Sequence, residues 1–264
     1  MMKSNNPGLR LEAFLQVMER LLSPEGCPWD REQTHQSLKR YLIEESYEVY
    51  EAIEEESMEK LQDELGDVLL QVVFHSALAE RSGSFTLTDV IEGVREKMIR
   101  RHPHVFSDTS VDGARDVEIH WEAIKKKEKK ETENDTLMDV PKAMDPLYRA
   151  EKLQKRAARA GFDWPDQQGA WEKMQEEMAE LESALEFQNT KQIQEEMGDV
   201  FFSLVNLCRK LEMDPVDALQ WTNDKFVARF QWMEQQAKQA EIPLDHLSLE
   251  EQDMYWKQAK QVLK

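Results

Sequence analysis

The sequence predicts an all-α protein built as two tandem helical modules. Three observations lead there. Apolar residues make up 40% and charged residues 33% of the 264-residue chain, with only nine Gly and nine Pro to interrupt it, a balance that suits amphipathic helices. No segment sustains the period-2 alternation of a half-buried strand. And one carboxylate constellation is written twice. Glu44-Glu45-Ser46-Tyr47-Glu48 is followed after fifteen residues by Glu64-Leu65-Gly66-Asp67, and Glu176-Glu177-Met178-Ala179-Glu180 is followed after the same fifteen by Glu196-Met197-Gly198-Asp199. Adding 132 carries every acid of the first set onto the second (45 + 132 = 177, 64 + 132 = 196).

The elements follow in order. Leu11, Phe14, Leu15, Met18 and Leu22 recur at helical spacing and predict a first helix over Leu9–Leu22, broken by Ser23-Pro24-Glu25-Gly26-Cys27-Pro28. Ser37–Glu56 and Lys60–Arg81 predict two long helices joined by a short polar turn. Thr88 is the expected N-cap of a fourth helix reaching Arg101, which Pro103 stops, and a fifth is expected from about Gly113 to Lys130. The charged run that follows, with Pro141 and Pro146 beyond it, predicts a linker at 131–142 between modules at 1–130 and 143–264. The second module repeats the plan: a helix over Ala143–Ala160 ended by Gly161, paired helices over Gly169–Phe187 and Thr190–Leu211, one capped by Asp214 with Pro215 at its first position, and a last over Ser248–Leu263.

A net charge of -19 argues against non-specific binding to nucleic acid or to an anionic membrane. Cys27 and Cys208 have no CxxC partner and read as free thiols of a reducing compartment. Met1–Arg10 lacks the apolar stretch of an export signal, and the apolar run Val68–Ala79 is too short to span a bilayer, so a cytoplasmic protein is expected.

Residues three apart on a helix share a face, so Glu45 projects with Glu48 and Glu64 with Asp67. Two such helices laid antiparallel aim four carboxylates at one point. The ordinary reading of an acidic helix face is a solvated one. Here, however, the second pair sits in an apolar helix in both copies: Leu61, Leu65, Val68, Leu69, Val72 and Val73 in one, Ile193, Met197, Val200, Phe201, Leu204 and Val205 in the other. Acids beside such a stripe need a partner, and clustered carboxylates need raised pKa values or cations. An all-oxygen ligand set suits Mg²⁺, with Mn²⁺ as a substitute. A di-iron site would want a Glu-x-x-His pair on each of two helices, and here Asp67 and Asp199 stand at the corresponding positions.

Basic and aromatic residues follow in each copy at helical i, i+4 spacing: Lys97 with Arg101 and Trp121 with Lys125 in the first, Lys225 with Arg229 and Trp256 with Lys260 in the second. Cations on one face can meet phosphate oxygens, and an indole can stack on a nucleobase, although Trp at helical spacing is commonly core. Neither GxxxxGK[ST] nor GxGxxG is present, so no P-loop or dinucleotide fingerprint is expected.

Taken together these motifs resemble the MazG family of nucleoside triphosphate pyrophosphohydrolases, within the all-α NTP pyrophosphatase superfamily, whose signature is EExxE followed by ExxD. The resemblance extends to Cys27-Pro28-Trp29-Asp30, Arg100-Arg101-His102-Pro103-His104-Val105-Phe106, Lys152-Leu153-Gln154-Lys155-Arg156-Ala157-Ala158, Gly161-Phe162-Asp163-Trp164 and Asn223-Asp224-Lys225-Phe226. It implies Mg²⁺-dependent hydrolysis of NTPs and dNTPs, ATP among them and standard or modified, to the monophosphate and pyrophosphate. It also implies a homodimer with each site in a four-helix bundle around the acid-bearing helices. By match to the motif, Glu177, Glu180, Glu196 and Asp199 bind metal, and Lys225, Arg229, Trp256 and Lys260 contact the nucleotide. The C-terminal copy is usually the principal active one in two-module members. The N-terminal copy of this chain nevertheless keeps Glu45, Glu48, Glu64 and Asp67 for metal and Lys97, Arg101, Trp121 and Lys125 for nucleotide.

The chemistry expected of such a site is attack of water at the α–β phosphate linkage. Lys225 and Arg229 would stabilise the leaving pyrophosphate, and Glu176 or Glu177, left open by the sequence, would orient or deprotonate the water. The alternative from another class is a non-catalytic helical scaffold that binds metal–nucleotide or docks a partner; turnover separates the two.

Overall fold

The computed structural model describes residues 6–130 and 138–263, the side chains at 118, 122, 126, 127, 129 and 130 excepted. Residues 131–137, most of the expected linker, lie outside the described residues. Every regular element among the described residues is helical, as the sequence predicts. The chain divides into two compact units, Met1–Glu131 and Thr132–Lys264. No helix among the described residues is long and apolar enough to cross a membrane.

The first unit contains α1 (Pro7–Leu22), α2 (Pro28–Glu32), α3 (His35–Glu54), α4 (Met58–Arg81), α5 (Leu87–Arg101), α6 (Pro103–Phe106) and α7 (Ala114–Lys130). Its centre is the α3–α4 hairpin, with α1 and α5 packed on α4 and α7 on α5. Met18, Leu22, Leu38, Val73 and Phe74 are buried together, with Leu15, Tyr41 and Leu70 packed against them.

The second unit contains α8 (Pro146–Arg159), α9 (Gln167–Glu186), α10 (Thr190–Lys210), α11 (Pro215–Gln239), a 3-10 turn at Leu244–His246, and α12 (Leu249–Val262). Here the α9–α10 hairpin is central, α8 lies on α10, and α11 pairs with α12 while touching α8 and α10.

The duplication persists in the backbone. The paired helices begin at His35 and Met58 in one unit and at Gln167 and Thr190 in the other, offsets of 167 − 35 = 132 and 190 − 58 = 132. Each hairpin turns through a left-handed residue that is not glycine, Glu56 at φ 53° and Gln188 at φ 52°. Next comes an N-cap whose side chain accepts from the backbone, Ser57 from Lys60 and Asn189 from Gln192, both at 3.4 Å.

Three local expectations are corrected. The N-cap of α5 is Thr86, not Thr88. Thr86 Oγ1 accepts from Asp89 N–H at 3.3 Å, and Asp89 Oδ2 accepts from Thr86 N–H at 2.7 Å. A cap at Thr88 would put Ile91, with nothing to reciprocate, at the third position. The helix expected from Ala143 starts at Pro146, because Asp145 Oδ1 accepts from Leu147 N–H at 2.9 Å and Tyr148 N–H at 3.3 Å. And the two short helices α2 and α6 begin at Pro28 and Pro103, residues read in the sequence only as breakers although proline suits a first helical position.

Candidate functional site

Helical spacing sets each pair of acids on one face, and the hairpin brings the two faces together. Carboxylate oxygens of Glu45, Glu48 and Glu64 lie within 4.8 Å of one another, as do those of Glu177, Glu180 and Glu196. The fourth acid of each copy stands just outside this grouping. Asp67 is close enough for its charge to raise the pKa of Glu45 and of Glu64, and Asp199 lines a cavity beside Glu177.

The electrostatics are those of a site short of positive charge. Desolvation, then the neighbouring Asp67, Glu48 and Glu64, hold Glu45 above its ordinary value. Desolvation followed by Glu48 and Asp67 does the same to Glu64. In the second unit desolvation, then Glu177 and Glu196, raise Glu180. Three mutually repelling carboxylates with oxygen the only donor fit a hard divalent cation.

The two clusters differ in one residue that the sequence reading passed over. Lys173 Nζ bonds Glu176 Oε1 at 2.8 Å and Glu177 Oε1 at 2.9 Å, so the second cluster carries an internal cation. Its equivalent by the offset of 132 is Tyr41, which accepts a hydrogen bond from Arg40 instead. The signal was legible: a lysine three and four residues before two glutamates on a helix reaches both. Glu177 is buried at 7% exposure, whereas Glu176 is exposed.

The basic and aromatic residues form a patch of their own in each unit. In the second, Arg229 Cζ lies 5.9 Å and Lys260 Nζ 5.8 Å from the Trp256 ring centroid, and Phe226 packs on the same indole at 5.2 Å. Lys225 Nζ sits 4.0 Å over Trp221. This patch belongs to the α11–α12 pair and the acids to the α9–α10 pair; none of its four expected nucleotide contacts lines the cavity beside Glu177. In the first unit, Arg101 Cζ lies 5.5 Å from the Trp121 centroid, and His102 meets the same indole edge-on at 4.7 Å. Arg101 also donates to Glu128, a partner the sequence reading missed. Lys97 precedes Arg101 by one turn of α5, and Lys125 follows Trp121 by one turn of α7.

The cavity beside the second cluster measures about 620 Å³. Leu153, Ala157, Phe162, Trp164 and Phe202 give it apolar walls, and the charged residues Lys173, Glu177 and Asp199 also line it. Its rim is tied by Asp163, which accepts from Arg209 Nη1 at 3.1 Å and Lys210 Nζ at 2.8 Å. Those bonds, the one from Arg209 foremost, pull the Asp163 carboxyl down to about 2.

The MazG nucleotide pyrophosphohydrolase domain matches residues 33–106 and 167–233, the two acid-bearing hairpins with the helix after each. A protein of Thermotoga maritima named nucleoside triphosphate pyrophosphohydrolase/pyrophosphatase MazG is 45% identical over 253 residues, 96% of each chain. An Escherichia coli K12 protein named nucleoside triphosphate pyrophosphohydrolase is 38% identical over 255 residues, 95% of this chain and 97% of that one. The uncharacterized protein YabN of Bacillus subtilis is 49% identical over 249 residues, 94% of this chain but 51% of YabN.

Proposed function

The chain belongs to the MazG nucleotide pyrophosphohydrolase family, and on that footing we propose that it hydrolyses nucleoside triphosphates, standard or modified, to the monophosphate and pyrophosphate with Mg²⁺ as cofactor. The observation that carries this reading is the convergence of Glu177, Glu180 and Glu196, whose oxygens lie within 4.8 Å of one another. Glu177, Glu180, Glu196 and Asp199 would hold the metal in the second unit, and Glu45, Glu48, Glu64 and Asp67 in the first; Mn²⁺ fits the same oxygen set. Bound there, the cation supplies neutralisation of triphosphate charge and a water of lowered pKa.

The rest is work for side chains. Glu176 stands outside the three-acid grouping and is held by Lys173, which fits it to orient the attacking water. Lys225 and Arg229 are assigned to the oxygens of the leaving pyrophosphate, where charge develops. Lys260 and Trp256 extend that patch along the nucleotide. Large apolar side chains stay exposed on the same helices, among them Met197 and Phe201 on α10 and Phe226 and Phe230 on α11. Faces of that size call for a cover, and a homodimer that pairs acid-bearing hairpins supplies one. Sedimentation equilibrium tests that part, a monomer at micromolar concentration being the adverse result.

The test of function is product analysis. The protein is incubated with Mg²⁺ and a panel of NTPs and dNTPs, and pyrophosphate and NMP are followed beside Glu64→Ala/Asp67→Ala and Glu196→Ala/Asp199→Ala. Equal amounts of the two products, lost in the second variant, are expected. Orthophosphate with NDP would mean a phosphatase, and bound nucleotide returned unchanged would mean a sensor or scaffold.

A further inference from the structure

One residue lining the cavity of the second unit differs sharply in size from its equivalent in the first. The α3–α4 and α9–α10 hairpins keep one offset, so Leu38 corresponds to Ala170 and Phe74 to Asn206 (38 + 132 = 170, 74 + 132 = 206). In the first unit Leu38 and Phe74 are 2% and 4% exposed and belong to the core with Met18, Leu22 and Val73. In the second unit Ala170 stays in the core at 1% exposure, away from the cavity lining, while Asn206 lines the hollow. Trading core volume for space costs stability unless something fills the space. About 620 Å³ lies within the roughly 300–1,000 Å³ typical of small-molecule sites.

One wall residue is chemically incomplete. Gln154 is 6% exposed. Its Nε2 donates to the main-chain carbonyl of Phe202 at 2.8 Å, and since a carbonyl only accepts, that bond fixes which way round the amide sits. Oε1 is left buried with no hydrogen-bond partner among the described residues. An unmet buried acceptor is costly, and a donor on a bound molecule removes the cost. Phe162, Trp164 and Phe202 in the lining suit a flat ring, and Lys173, Glu177 and Asp199 line the same cavity. A molecule with a polyanionic end, a flat weakly hydrated end and an N–H to offer is a nucleotide.

We propose that the cavity between α8 and α10 receives the nucleobase of the substrate, and that Gln154 Oε1 reads an N–H on the base edge. This rests on the reading of the acids as the triphosphate site. It gives the base a place other than Trp256, whose ring already carries Arg229, Lys260 and Phe226. The base selectivity of the protein then resides in the second unit, because the first holds the buried ring of Phe74 where Asn206 lines the cavity.

The test pairs space-filling with loss of the acceptor. KM and kcat for pyrophosphate release are measured with ATP, GTP, CTP and UTP on the unmutated protein, Asn206→Phe and Gln154→Leu, with Mn²⁺ binding and melting temperature on each. Calorimetric binding of the α,β-methylene triphosphates runs alongside. In Asn206→Phe, KM is expected to rise about tenfold or more with every base while Mn²⁺ affinity holds, since the ligand loses its apolar seat. In Gln154→Leu, the spread of kcat/KM between best and worst base shrinks, the best losing roughly tenfold, the worth of one buried hydrogen bond. Ala157→Leu fills the cavity from the facing helix if Asn206→Phe does not fold. Unchanged KM and unchanged analogue affinity in a folded filler variant overturn the proposal. A protein that releases no pyrophosphate from any of the four overturns the triphosphatase reading instead, and the methylene analogues then decide the cavity by themselves.

Discussion

Arg101 and Glu128 are joined by two hydrogen bonds, from Nε at 3.0 Å and Nη2 at 2.6 Å to the same carboxylate oxygen, with Arg100 Nε on the other oxygen at 2.6 Å. Arg229, the counterpart of Arg101, has its Nε buried and without a hydrogen-bond partner among the described residues. Counting from the aligned tryptophans, Trp121 and Trp256, the position of Glu128 is occupied in the second unit by Leu263 (128 + 135 = 263). So the first unit supplies its own anion to the arginine that the second unit leaves for another.

Glu128 therefore competes with phosphate in the first unit. Its carboxyl, held below its ordinary range chiefly by the Arg101 hydrogen bond, stays ionised through the physiological range. In a Glu196→Ala/Asp199→Ala background, Glu128→Gln is expected to strengthen binding of α,β-methylene-ATP with Mg²⁺ by roughly threefold to tenfold, on the scale of a charge-assisted pair released to the ligand. Calorimetry reads this directly. Weaker binding in the variant would mean that Glu128 aims Arg101 rather than occupying it.

Metal binding is expected to matter more as pH rises. The carboxyls of Glu45, Glu64 and Glu180 are each raised above the ordinary 4.5 by desolvation and acidic neighbours. The folded state thus keeps protons that the unfolded state has lost, and without metal its stability falls as pH rises through the window above 4.5. A cation replaces those protons. The rise in melting temperature on adding Mn²⁺ to EDTA-treated protein should be larger at pH 7.5 than at pH 5. An equal rise at both would remove the carboxylate clusters as the site of action.

Lys173 separates the two clusters in a way that substitution can expose. It serves Glu177, which is buried, so Lys173→Met strips a buried carboxylate of its counter-ion. The metal-free variant should melt lower than the unmutated protein, and saturating Mg²⁺ should restore most of the difference. Tyr41→Phe, at the equivalent place in the first unit, leaves the acid charges untouched and should show no such dependence on metal. A metal-independent loss in Lys173→Met would make the lysine a packing element only.

The sequence was most legible where periodicity and duplication act together. The hairpin acids share faces through the 3.6-residue period, and a common offset of 132 places Glu56 and Gln188 at matching turns as well as Glu64 and Glu196 at matching clusters. What it hid were contacts between segments distant in the chain. Gln154 with Phe202 spans 48 residues, Arg209 with Asp163 spans 46, and Arg101 with Glu128 spans 27. No spacing rule on a single helix reports them. The cavity was hidden for a different reason: Asn206, which lines it, is unremarked in a helix until its equivalent Phe74 is seen to be core. Thr86 shows the local limit, because two threonines two residues apart are both plausible caps and only Asp89, three residues on, chooses between them.

Asp163 is where fold and cavity depend on one charge. Its carboxylate takes bonds from Arg209 and Lys210, joining the segment after α8 to the end of α10, and its neighbours Phe162 and Trp164 line the cavity. Asp163→Asn should lower the melting temperature at pH 7 and raise KM for nucleotide, because the cavity wall loses its tether. The pH dependence follows from the sign. A carboxyl depressed from 3.8 to about 2 contributes stability that is fully present above 3.8 and is lost as pH falls toward 2. The melting curves of Asp163→Asn and the unmutated protein should therefore be parallel from pH 7 down to about 4, the ordinary aspartate range, and converge below it. Parallel curves down to pH 2.5 would show that the tether acts through shape and not through the ion pairs.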